Sequence, residues 1–140
     1  TDVASAQERL RAVGTGYLRF ARDEPGLFRV AFGVPGGLER AFVPEKAGPG
    51  GASPFGLLAG VLGKLVRFGA LPAERRPAAE LLAWSAVHGF STLLIDGALD
   101  FLNEGSDREA FVDKHAARLF ALLASVLHVT QGLAKADARD

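Results

Sequence analysis

His88 is the residue best suited by type to do chemistry. It stands one helical turn after Trp84 and directly before Gly89, and an imidazole titrates close to neutral pH. Two readings of it stand side by side: a polar handle for a ligand, or a structural histidine satisfied by a backbone carbonyl, Tyr17 or Ser91. Ser85, His88 and Asp96 supply the types of a nucleophile, a base and an orienting acid. All three fall on one expected helix, without the strand–turn–helix elbow that presents such a nucleophile. His115 and His128 have no carboxylate at ligand spacing, so no metal site is expected, and no cofactor. Asp96 and Asp100 read as helix-end and loop solvation. Residues Gly56 to Lys64 imitate a phosphate loop. Leu58 holds the place of its first glycine, however, and Leu65 stands where Ser or Thr must follow the lysine. With no convergent acid–base or nucleophile set, the chain is not expected to be an enzyme.

The elements that position these groups belong to one globular domain over residues 1–140, long enough to bury a real core. Sixteen basic side chains balance sixteen acidic ones, so no overall field draws in nucleic acid or an anionic membrane. The chain has no cysteine, which excludes disulfides and thiol chemistry and fits the cytoplasm. It also has no methionine, so a segment N-terminal to residue 1 is expected. No charged segment followed by an apolar one stands at its start, so export is not expected. The uncharged run Leu119–Ala134, interrupted by Ser125, His128, Thr130 and Gln131, falls short of the ~20 apolar residues of a membrane span.

Apolar residues recur at three and four rather than in alternation, predicting an all-α fold of five or six helices. The first spans Val3–Arg22, with Gly14 and Gly16 as weak positions where a kink is expected. Pro25 starts a short second helix through Phe32. Six glycines and three prolines make Gly33–Ser53 a loop, with one turn around Leu38–Phe42. Ser53-Pro54 opens a helix that closes at Gly69. The next spans Pro77–Asp96. A capping box of Ser106 and Glu109 starts the last, Asp107 to about Leu133.

Two of these helices carry more apolar surface than one core needs. On Pro77–Asp96, Trp84, His88, Ser91 and Ile95 share one side, and Leu82, Ala86, Gly89 and Leu93 share the other. On the last helix Val112, Ala116, Leu119, Leu123 and Val126 form a stripe. Phe111, His115, Leu122 and Val129 extend the apolar arc to about half the circumference, where a single core stripe is ~100° wide. Either both helices are central to a monomer core, or the surplus faces a second copy. Gly56, Gly60 and Gly63 line one stripe of their helix, for close helix packing or for room beside a ligand.

Trp84-Ser-Ala-Val-His88-Gly89-Phe, preceded by Gly16-Tyr17-Leu-Arg-Phe20-Ala-Arg-Asp-Glu24-Pro25-Gly-Leu-Phe28-Arg-Val-Ala-Phe32, resembles the C-terminal domain of TetR-family transcriptional regulators of the Trp-His-Gly type. The resemblance covers most of the chain and is weak over Gly33–Gly50. It implies a homodimer whose last two long helices pair as a four-helix bundle, with Leu82, Ala86, Gly89, Leu93, Phe111, His115, Leu122 and Val129 at the interface. It implies a small-molecule pocket among the earlier helices, and operator DNA bound only through an N-terminal helix-turn-helix domain that no segment here matches. The expected lining is Tyr17, Phe20, Phe28, Phe32, Phe55, Leu58, Leu62, Trp84 and His88. No Arg or Lys is expected on those faces, so a buried anion would lack a partner. The expected ligand is small, neutral and lipophilic or aromatic, oriented by His88 or Tyr17. The alternative is a purely structural dimerisation module without a ligand.

Overall fold

The computed structural model describes residues 3–33, 54–103, 105 and 107–137, with the side chains of Pro54, Phe55 and those from Leu127 onward left aside. Five α-helices occupy these residues: α1 Val3–Asp23, α2 Pro25–Gly33, α3 Pro54–Arg67, α4 Arg76–Ile95 and α5 Arg108–Asp137. Single 3-10 turns, Ala73–Arg75 and Asp100–Leu102, precede α4 and α5. No strand occurs among the described residues, so the all-α expectation holds. The expected loop and its turn at Leu38–Phe42 lie outside them.

Local chemistry explains the boundaries. Pro25 and Pro54 open α2 and α3, and Pro77 sits in the first turn of α4, where a missing N–H is harmless. Gly14 and Gly16 leave α1 unbroken. α3 closes through Gly69, whose φ of 70° reverses the chain so that the Ala70 amide donates to the Leu65 carbonyl at 2.8 Å. Gly97, at φ 77°, closes α4 in the same manner. Two arginines also reach the last carbonyls there. Arg108 donates to Leu94 O at 3.0 Å and Arg29 to Ile95 O at 3.3 Å, where cations also meet the negative end of the helix dipole. Asp96 and Asp100, read as solvated, hold these arginines at 3.0 and 3.1 Å. Ser106 of the expected capping box lies outside the described residues. Asp107 Oδ1 accepts the Glu109 amide at 2.9 Å, while the Glu109 carboxylate accepts from Arg22 at 3.4 Å and ties α5 to α1.

α1 and α4 run through the whole core. Ala6, Ala79 and Ala83 pack with Leu58, Leu62, Leu65 and Leu71 at one end. Tyr17, Ala21, Phe28 and Val87 meet in the middle. Leu18 and Leu94 join Val112 and Ala116 of α5 at the other end. The buried positions of α4, namely Ala79, Ala83, Val87, Ser91 and Leu94, follow one another at three and four and form one inner stripe. Ala73–Ile95 is also long and apolar enough to cross a membrane by length and composition, with a mean hydropathy of 1.3. Its apolar character is explained by a second, outer stripe described below.

Candidate functional site

A cavity of about 50 Å³ with almost wholly apolar walls lies where all five helices meet. α1 contributes Gln7, Leu10, Arg11, Val13, Gly14 and Tyr17, a helical face at spacings of three and four. Phe120, Leu123 and Ala124 of α5 close it from one side and Ala83, Trp84 and Val87 of α4 from another; Phe32 and Leu58 complete it. Gly14 lies against one wall: a Cβ there would stand 2.8 Å from Cε1 and Cζ of Phe120, so an added side chain would shift that ring. One water needs roughly 10–15 Å³ of such volume, and an apolar cavity of about 150 Å³ holds benzene. The space is therefore a slot of about a third of that volume.

Tyr17 ends the slot and anchors its polar chemistry. The Trp84 indole N–H donates to the Tyr17 oxygen at 3.4 Å, and that oxygen lies 2.7 Å from His88 Nδ1. An indole nitrogen only donates, so the Tyr17 oxygen accepts there and its O–H is free to donate to Nδ1, an arrangement that carries the His88 proton on Nε2. Burial pushes the Tyr17 hydroxyl up to about 12 from 10.0, against the opposing effect of the Trp84 bond. Burial also lowers His88 below its usual 6.5. Both shifts favour an uncharged pair. Around it Phe28 stacks on His88 at 5.3 Å and Phe32 meets the same ring edge-on at 5.1 Å. Phe28 also meets Tyr17 edge-on at 5.6 Å, so the hydrogen-bonded trio is packed in aromatic carbon.

The family described as "Tetracyclin repressor-like, C-terminal domain" matches residues 10–119. The chain belongs to that family. The matched stretch holds both sequence blocks, Gly16–Phe32 and Trp84–Phe90, and the geometry above shows why they occur together: one supplies Tyr17 and the other its two hydrogen-bond partners. The Trp-His-Gly subgroup is a finer assignment than this match carries. No curated protein and no solved structure matches the chain.

Within this TetR-like domain the expected lining residues divide. Tyr17, Phe32, Leu58 and Trp84 meet on the slot. Phe28 and Leu62 do not line it: at 2% and 0% exposure they are packed core. Phe20 packs half-buried against the aromatic cluster, also away from the walls. His88 stands behind Tyr17 rather than on the slot, which favours its structural reading. Ser91, the other suggested partner of His88, is fully buried, and its hydroxyl has no partner among the described residues. The Phe55 side chain lies outside the described residues. Sequence reading missed Gln7, Leu10, Arg11, Val13 and Gly14 of α1, Ala83 and Val87 of α4, and Phe120, Leu123 and Ala124 of α5. It also placed no cation on the inward faces, and Arg11 corrects that. At Gly63 a Cβ would stand 3.4 Å from the Arg76 guanidinium, an ordinary contact, and at Gly60 it would meet no described residue within 4 Å. That guanidinium donates to Ala59 O and to Glu80, both at 2.9 Å, fastening α4 to α3.

The surplus apolar surface is real and faces outward. Leu82, Leu93 and Leu122 are 43%, 46% and 64% exposed. Ala86, Gly89, Leu93, Phe111 and His115 line a shallow groove between α4 and α5, floored by Phe90 and Leu119. A Cβ on Gly89 would meet nothing within 4 Å, so no described residue of the chain packs on it. The Val129 side chain lies outside the described residues.

Proposed function

We propose that this domain binds a small apolar ligand in the slot, pairs with a second copy through the outer faces of α4 and α5, and couples the two. The observation that carries the reading is the position of α4. Its inner stripe walls the slot through Ala83, Trp84 and Val87, while Leu82, Ala86, Gly89 and Leu93 look outward. A ligand that favours one setting of α4 therefore biases the arrangement of the paired copies, provided its affinity differs between the two settings. The domain then acts as the sensing half of a cytoplasmic transcriptional regulator, a repressor, whose operator contacts belong to an N-terminal helix-turn-helix domain. The chain itself, with no net charge, carries no DNA-reading function.

A thermal-shift screen with aromatic, lipid-like and antibiotic compounds tests this. A true ligand raises the melting temperature by mass action, by about 2.7 kcal/mol of stabilisation at a hundredfold excess over Kd. Trp84 is the single tryptophan and a wall of the slot, so the same ligand alters its emission saturably. A dimer whose stability and Trp84 emission respond to none of these compounds would instead be a structural pairing module.

A further inference from the structure

Resting on the ligand-binding reading above, we infer that the slot takes an anionic amphiphile, its tail toward Tyr17 and its anionic head on Arg11. The polar atoms of the lining are sharply divided. At the inner end, the Tyr17 hydroxyl and the Trp84 indole are already committed to each other and to His88. A ligand group arriving there finds carbon and no spare donor, and a polar group buried without a partner is costly. The remaining polar walls, Gln7 and Arg11, stand four residues apart on one face of α1. Arg11 precedes Tyr17 by six residues, about 9 Å along the helix axis.

Arg11 is exposed, so it marks the side of the slot open to solvent. It forms no ion pair with any described residue, not even with Glu8 one turn before it. A guanidinium stays charged at every relevant pH and presents parallel N–H donors that match a carboxylate two by two. The Gln7 amide is placed to add one neutral donor beside it. The ligand so defined is an acid with an apolar tail, of which a slot of about 50 Å³ encloses the end. It replaces the neutral aromatic compound expected when no cation was placed on these faces.

The test uses the whole chain, with Trp84 emission and thermal shift as readouts and probes kept below micelle-forming concentrations. Hexanoate, octanoate and decanoate are titrated beside methyl octanoate, on the wild type and on Arg11→Gln. Octanoate is expected to bind saturably, with about a three- to fourfold gain for each added methylene. Methyl octanoate should bind about tenfold more weakly or worse, as expected for loss of a hydrogen bond to a charged group. Arg11→Gln should erase that difference by weakening the acid and leaving the ester unchanged. Equal binding of acid and ester, or a preference that survives in Arg11→Gln, overturns the inference while the ligand-binding reading stands. So does binding of an aromatic compound where no acid binds. If neither the acids nor any compound of the wider screen binds, both readings fall together.

Discussion

The two sides of α4 use similar residues to opposite ends. Inward, Trp84, Val87 and Ala83 face α1 across a slot whose inner end holds polar atoms paired atom to atom. Outward, Leu82, Ala86, Gly89 and Leu93 run along an open groove in which His115 is the one polar side chain, its ring 4.4 Å from that of Phe111. The inner side selects by geometry, since each hydrogen bond fixes a ring. The outer side has little to satisfy and much apolar area to cover, the character of a surface that matches a copy of itself. Composition does not distinguish a binding cavity from a pairing face; the partners of the polar atoms do.

The largest effect expected from breaking this contrast is on the outer side. The wild-type chain is expected to be a dimer at micromolar concentration, with an interface in the ~2,000 Å² class. Leu93→Glu would place an unpaired carboxylate from each copy in that interface, at a cost of about 3–5 kcal/mol, and should leave a helical monomer in light scattering. Gly89→Leu sharpens the point. The monomer has open space around Gly89, and leucine favours helix over glycine by about 1 kcal/mol. Loss of pairing in Gly89→Leu would therefore report on the two-fold contact and not on folding. A Gly89→Leu chain that stays dimeric moves the interface away from Gly89.

Much of this arrangement was legible in the residues. Pro25, Pro54 and Pro77 mark helix starts, Gly69 and Gly97 mark ends, and the double apolar stripe of α4 shows in its spacing alone. The slot was legible only in part. Periodicity assigns Phe28 and Phe32 to the same face, one turn apart, yet one is core and the other is wall. The difference arises from which neighbour fills the space, a tertiary fact. The α5 wall was missed for the same reason, although Gly14 in mid-helix, on one face with Gln7, Leu10, Arg11 and Tyr17, was a signal of close approach there. Truncation separates the pair. Phe28→Ala empties a packed site and should cost about 3–5 kcal/mol in denaturant unfolding. Phe32→Ala extends a cavity that already exists, so it should cost less and widen the range of ligands accepted. Equal losses would mean that the core and the slot are not distinct.

The smallest effect expected concerns the protons of the Tyr17–His88 pair, and the single tyrosine makes it readable. Tyr17 titrates at about 12 in the folded chain against 10.0 in the open. Between these values the unfolded chain has lost a proton that the folded chain keeps, so stability falls as pH rises. Stability from this group is complete below pH 10 and is lost progressively toward 12. Phenolate absorbance should accordingly appear near 12 in the native protein and near 10 in denaturant. Because the Trp84 bond opposes the shift, Trp84→Phe should raise the native value further if the fold is kept. On the acid side the sign is opposite. His88 is held below 6.5 by burial, so below that pH the unfolded chain binds the extra proton, and stability present above 6.5 declines as the solution is acidified. Proton uptake at Nδ1 would also displace the Tyr17 O–H from its acceptor and turn a donor toward the phenolic oxygen. His88→Asn should flatten the acid decline without moving the alkaline one. A native phenolate appearing near 10 would place the Tyr17 hydroxyl in water and dissolve the polar anchor on which the inner side depends.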